Sequence, residues 1–199
     1  MKQVKRSLFF ITLPLCTIGC FAFTGTVRAQ VTSDGTLPTP TTVNTQGNNF
    51  TINGGTQAGG NLFHSFREFS VPNGGEAFFN NAPTIQNIIS RVTGGSVSDI
   101  NGLIRANGSA NLFLLNPAGI IFGPNARLQI GGSFLASTAS SLLFNNGLEE
   151  FKVNPQESSL LSINIPTGLR FRDNPQPGSI TSQSANLQIP SGNSFALVG

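Results

Sequence analysis

Between Gly108 and Thr138 the chain reads GSANLFLLNPAGIIFGPNARLQIGGSFLAST, and this stretch restricts the fold more than any other. Its apolar runs, Leu112 to Leu115, Ile120 to Phe122, Leu128 to Ile130 and Phe134 to Ala136, are three or four residues long. Asn116-Pro117-Ala118-Gly119, Gly123-Pro124-Asn125 and Gly131-Gly132 separate them, each a combination that interrupts regular structure. Runs this short cannot be helices, and Ile and Phe punctuated by Gly and Pro is strand composition. The stretch predicts an all-β chain.

The central turn can be read residue by residue. Asn first, Pro second and Gly fourth is the type I preference, with Pro presetting φ and the Asn side chain able to cap the backbone. Type II would need positive φ at Ala118, which a Cβ resists. In Leu112-Phe113-Leu114-Leu115 neither face of a strand is polar, so one side meets a core and the other must also be covered. Leu128-Gln129-Ile130 alternates and should face water on one side. Three strand-and-turn units in some twenty residues is the rhythm of one coil of a parallel β-helix, whose coils stack at about 4.8 Å. One such coil is unstable alone. A sandwich also fits the rhythm, because NG and GG signals serve hairpins.

The same pattern runs along the chain. Val31 to Thr42 is rich in Pro and Thr and reads as extended. Asn49 to Ile52 before Asn53-Gly54-Gly55 reads as a first strand. Asn61 to Phe69 reads as a second, with Leu62, His64 and Phe66 on one face and Phe63, Ser65, Arg67 and Phe69 on the other. Ile85, Ile88, Ile89 and Val92 fit helical spacing, but a β-branched run ending at Gly94-Gly95 also suits a buried strand, which is the reading adopted. Leu103-Ile104-Arg105, Ser140 to Gly147, Leu160 to Ile165, Leu169 to Phe171, Ile180 and Leu187 to Ile189 read as further strand units, with Pro166, Pro175, Pro177 and Pro190 between the later ones. There is no Trp or Tyr, so Phe, Ile and Leu must fill the core. At twenty-odd residues per coil the chain has room for at most seven or eight coils, fewer after caps. Ser194 to Gly199 reads as a strand with nothing over it, which suggests a truncated form of a longer protein.

Residues 1–29 have the three parts of a secretory signal: a basic start at Lys2, Lys5 and Arg6, an apolar middle from Leu8 to Phe23, and a small-residue site at Val27-Arg28-Ala29. Cleavage between Ala29 and Gln30 is expected. The run is interrupted by Pro14 and short for a membrane span. Thr17-Ile18-Gly19-Cys20 is a weak lipoprotein site. Lys2, Lys5, Arg6 and Arg28 leave with the signal, so seven of the eleven basic residues remain against eight acidic ones. The apparent basicity belongs to the signal, and a nucleic-acid role loses its support. Arg67, Arg91, Arg105 and Arg127 stand singly and are expected to cap or solvate turns. Cys16 and Cys20 are the only cysteines, so the mature chain has no disulfide framework. Passage through an outer-membrane pore in an unfolded state would require as much, and chance absence from a β-rich chain accounts for it equally well.

Catalytic chemistry finds little here. Lyase or hydrolase chemistry on a β-helix needs paired carboxylates or an acidic metal cradle. Asp34, Asp99 and Asp173 are scattered, and only Glu149 and Glu150 are adjacent. Gly94 to Asp99 has part of a calcium-binding nonapeptide, with Val97 in place of a Gly and no repeat. His64 is the only histidine, which favours a packed role over a ligand. No catalytic, metal or cofactor site is expected.

Asn111-Leu112-Phe113-Leu114-Leu115-Asn116-Pro117-Ala118-Gly119-Ile120-Ile121-Phe122-Gly123 resembles the signature of the filamentous haemagglutinin N-terminal family, the two-partner secretion (TPS, haemagglutination activity) domain. Ala118 stands where that family usually has Asn. Asn61-Leu62-Phe63-His64-Ser65-Phe66, Arg91 to Gly95 and Phe134 to Thr138 are similar to other family blocks, in wording nearest the cyanobacterial members. The Asn-Pro-Asn-Leu tetrapeptide of some members is not found; Asn154-Pro155-Gln156-Glu157 is the nearest. The resemblance implies a right-handed, single-stranded parallel β-helix of the pectin-lyase-like kind over residues 30–199, with an N-terminal cap and small extra β elements. It implies a secretion-targeting module, exported by Sec, recognised by the POTRA repeats of a TpsB-type outer-membrane transporter, and folding at the cell surface as a monomer. Asn116, Pro117, Ala118, Gly119 and Ile120 are then the secretion motif, and Asn61, Leu62, Phe63, His64 and Phe66 the second marked block. An adhesin binding carbohydrate or cell surfaces directly is the nearer alternative, and a polysaccharide-active enzyme the farther.

Overall fold

The computed structural model describes residues 30–154, 161–171 and 178–199. The expected signal with its cleavage residue Ala29 and both cysteines lies outside the described residues, as do Pro155 to Leu160, Asp173, Pro175 and Pro177. In chain order the strands are β1 (Val31–Ser33), β2 (Thr41–Gln46), β3 (Asn49–Gly54), β4 (Thr56–Ala58), β5 (Asn61–Phe69) and β6 (Glu76–Phe79). There follow β7 (Asn87–Val92), β8 (Ser98–Ile100), β9 (Leu103–Ala106), β10 (Asn111–Leu115), β11 (Ile120–Phe122) and β12 (Arg127–Gln129). The last are β13 (Phe134–Ser137), β14 (Ser141–Phe144), β15 (Glu149–Lys152), β16 (Pro166–Arg170), β17 (Ile180–Ser182) and β18 (Phe195–Val198).

Successive strands do not pair with each other along the coil; each pairs in parallel with its equivalent one coil away. The first sheet runs β5-β7-β10-β13-β18, the second β3-β6-β9-β12 and the third β8-β11-β17. These are the three walls of a parallel β-helix, and the sandwich reading is set aside. Leu62, Ile88, Leu112, Phe134 and Phe195 form one column in register. The Leu112-to-Phe134 coil takes 22 residues, and it contains the three strand units read from the sequence. The run of Ile85 to Val92 is strand, not helix, from Asn87 onward.

Antiparallel strands close the N-terminal end. β1 and β4 lie along β5, and β2 lies along β3, so the edge of the first coil is paired rather than open. Two strands thus precede the one expected at Asn49. The other departure is an insertion. The Phe134-to-Phe195 coil takes 61 residues, 39 more than its predecessor. Much of the excess is a separate antiparallel sheet with β14 between β15 and β16. Of the unit expected from Ser140 to Gly147, Ser141 to Phe144 is a strand, but it has left the helix, and Asn145–Gly147 form a 3-10 turn. Cap and insertion together leave five rungs in the longest sheet, fewer than length alone would permit.

The insertion covers the outer face of the first sheet and produces two cores. Phe50, Leu62, Phe66, Phe79, Ile88, Ile104, Leu112, Leu114, Ile120, Phe122 and Phe134 fill the interior of the helix. Phe63, Ile89, Leu115, Leu142, Phe144 and Phe151 are buried together between sheet and insertion, with Phe113 packed against them. This is why Leu112 to Leu115 has no polar face.

Three expectations fail locally. Phe69 joins the interior beside Phe66, ring centroids 5.1 Å apart, rather than facing outward with Phe63. The β1 register jumps from Glu68 to Phe66, leaving Arg67 as a bulge, and one extra residue reverses the faces that follow. Residues 161–165 are not strand; β16 begins at Pro166, a strand-first position that does not need an N–H. Leu187 and Ile189 pack on the interior, but their segment is not a strand.

Close stacking leaves no space for side chains at some turns. A Cβ on Gly131 would stand 2.2 Å from the carbonyl oxygen of Gly108 in the coil below. Gly131→Ala is therefore expected to cost about 2 kcal/mol or more in urea unfolding. Leu148→Ala, at a position 82% exposed, should stay within about 0.5 kcal/mol. Equal effects would mean that the coils are not packed this tightly.

Candidate functional site

The Asn116 turn joins β10 of the first sheet to β11 of the third. The backbone N–H of Gly119 donates to the Asn116 carbonyl at 3.0 Å, closing the expected four-residue turn. Ala118 is not among the residues with positive φ, as type I requires, while Gly119 has φ 122°. Asn116 is fully buried. Its Oδ1 accepts from the N–H of Ala118 at 3.0 Å, and its Nδ2 donates to the Ser96 carbonyl and to Ser98 Oγ, both at 2.9 Å. One amide therefore holds its own turn and ties it to the coil below. Its N–H donates to the Ser137 carbonyl of the next coil at 2.9 Å.

The turn is also held from above. Gly178 N–H donates to the Pro117 carbonyl at 2.8 Å, and Ile120 N–H to the Ser179 carbonyl at 3.0 Å. A Cβ on Gly178 would lie 2.3 Å from the Ala118 carbonyl carbon. Ile120 is buried in the interior, and only Pro117 and Ala118 are partly exposed. Chemically, the motif is a structural splice between walls. It offers little polar surface outward.

The second block, Asn61 to Phe66, lies two rungs away on β5 and is a separate site of anchoring. Asn61 Oδ1 accepts from Asn87 Nδ2 at 2.8 Å, Asn87 Oδ1 from Asn111 Nδ2 at 2.9 Å, and Asn111 Oδ1 from Ser133 N–H at 2.8 Å. The amides form a ladder up the entrance of the first sheet. Asn61 Nδ2 also donates to the carbonyls of Ser162 and Asn164, at 2.9 and 2.7 Å, fixing the chain that leads into β16. Leu62 and Phe66 face the interior, while Phe63 meets Phe151 and Phe144 of the insertion at centroid distances of 5.0 and 6.1 Å.

His64 is buried against Phe79 and Phe66. Thr41 Oγ1 accepts from Ser65 N–H at 3.1 Å and is hydrogen-bonded to His64 Nδ1, also at 3.1 Å. The packed structural role expected for it holds.

Sequence reasoning missed Arg91. It neither caps nor solvates a turn; it is 1% exposed, the last but one residue of β7. Its signal was its place, a charge inside the apolar run Ile88 to Val92. Arg105 also differs from expectation, pairing with Glu76 and lying 3.5 Å over the Phe78 ring. Of the adjacent carboxylates, Glu150 binds Ser141 and Arg170, and Glu149 accepts from Asn164 at 3.2 Å, so both are engaged within the insertion. Among the described residues no three His, Cys, Asp or Glu side chains are grouped to hold a metal.

A family model described as TPS secretion domain matches residues 29–199. No curated protein matches the chain.

Burial pushes the His64 imidazole from 6.5 down to about 3. Between those values the unfolded chain binds a proton that the folded chain excludes, so stability rises with pH across the window, by about 1.4 kcal/mol per unit. Urea unfolding is expected to give a stability about 2 kcal/mol lower at pH 5 than at pH 7.5. His64→Asn, whose amide oxygen can accept from Thr41, should remove most of that difference. An undiminished pH dependence in the variant would contradict the assignment.

Proposed function

The chain belongs to the TPS secretion domain family and is a two-partner secretion module of an exported protein, and from that premise we propose that its motif acts in export by holding the shape of the module. In this reading the segment before Gln30 is removed on Sec export, which agrees with a family match beginning at residue 29 and a first strand at Val31. The POTRA repeats of a TpsB-type outer-membrane transporter recognise the module in the periplasm. It crosses the transporter unfolded and winds into its β-helix at the cell surface, each coil offering the pairing edge for the next.

One observation carries the shape reading: every polar group of Asn116 is used inside the protein, on its own turn and on the coils either side. A residue so engaged has nothing left to offer a partner in the folded state. Its removal, by contrast, leaves Ser98 Oγ, the Ser96 carbonyl and the Ala118 N–H without their partner, where the coils must meet.

Asn116→Ala is expected to lower the stability of the purified module by about 2 to 3 kcal/mol. In a strain carrying the cognate transporter it should reduce extracellular protein several-fold. Pro117→Ala, which leaves the Asn116 bonds intact at a partly exposed position, should export close to normally. Unchanged export of Asn116→Ala would count against the motif's role. Loss of export in a stable Pro117→Ala protein would show that the transporter reads the motif by contact.

A further inference from the structure

Arg91 touches three parts of the chain that the sequence keeps far apart. Its Nε donates to Ser65 Oγ on β5 at 2.7 Å. One Nη donates to Thr36 Oγ1 of the N-terminal cap at 2.9 Å, 55 residues away. The other donates to the Lys152 carbonyl at the end of β15 at 2.6 Å, 61 residues away. The guanidinium carbon lies 4.5 Å from the centre of the Phe151 ring. Its planar fork of donors suits this divergence, which a lysine ammonium could not reproduce.

The balancing charge is Asp34, also in the cap. Its carboxylate accepts from Ser65 Oγ and Thr93 Oγ1, each at 2.7 Å, and from the hydroxyl and N–H of Thr36 at 2.9 and 3.0 Å. The Ser65 and Thr36 hydroxyls each accept a hydrogen bond from Arg91 and donate one to Asp34. The ion pair is thus relayed through two hydroxyl groups, one on the helix and one on the cap. Burial alone would raise the Asp34 pKa, but the hydrogen bonds from Ser65, Thr36 and Thr93 outweigh it and hold the carboxyl below its usual range. Burial pushes Arg91 down to about 10, partly offset by the Asp34 charge, so it remains a cation near neutrality.

We infer that Arg91 is a latch between the cap and the insertion, fastening both to the same point of the β-helix so that neither opens without loosening the other. A buried cation must keep its partners or become costly. Withdrawal of the cap removes Thr36 and the Asp34 charge, which destabilises the guanidinium in the position from which it holds Lys152 and Phe151. Withdrawal of the insertion bares the guanidinium to water and weakens its hold on the cap. Leu37 of the cap is buried with Phe151 and Val153 in the outer core, so packing works in the same direction. The inference concerns the folded module and does not rest on the export reading.

Partial cuts test it without unfolding the chain. Thr36→Val removes the cap's hydroxyl relay and touches nothing in the insertion. Amide hydrogen exchange of the purified protein should then speed up at least tenfold in β15 as well as in β1, while β10 and β13 keep their protection. Phe151→Leu removes the insertion's ring from beside the guanidinium, and by reciprocity should speed exchange in β1 and at Ser70, whose N–H is held by the Gln30 carbonyl. Both cross-effects confirm the latch. An effect confined to the altered segment in either variant overturns it.

Discussion

Backbone pairing between like strands of successive coils is the constraint from which the rest of this structure follows. Three walls share one chain, so a coil can stack only if its walls meet their equivalents below together. That requirement explains the turns: glycines stand where a coil passes over a carbonyl of its neighbour, as Gly131 does over Gly108 and Gly94 over Arg67. It also explains the interior, where each inward residue of a strand is stacked on an inward residue of the next, Ile88 under Leu112 under Phe134.

Polar groups inside such a stack must be satisfied along the same axis. The Asn61, Asn87 and Asn111 ladder does this at one end of the first sheet, and Asn116 does it at the other. Both use a side-chain amide that bonds to a neighbouring coil, the ladder by donating and accepting between coils and Asn116 by donating to the coil below while accepting within its own turn. Membership of the TPS secretion domain family gives this arrangement its context. A chain that is exported before it winds benefits from local, sequential contacts of this kind, because each coil can be completed on the one before it. In the function proposed above, the motif read from the sequence belongs to that winding, a reading that its burial supports.

Much of this was legible beforehand, for identifiable reasons. The Asn116 turn could be typed because Pro and Gly act on backbone angles locally, and the two-sided burial of Leu112 to Leu115 followed from the absence of a polar face. What escaped depended on distant partners. Ser141 to Phe144 has the same composition as a rung, and only its pairing with β15 and β16 takes it out of the helix. Phe69 turned inward because β1 forces a bulge at Arg67, a matter of register between strands far apart in sequence. Arg91 was read as a surface charge because the groups that bury it lie in the cap and in the insertion.

The in-register parallel stack is tested most directly by through-space contacts in solution. In a nuclear Overhauser spectrum of the labelled protein, backbone protons of Leu112 should show cross-peaks to those of Ile88 and Phe134, the two members of its column. Strong cross-peaks linking β10 to β11 as an antiparallel hairpin across the Asn116 turn, with none to Ile88 or Phe134, would contradict the account.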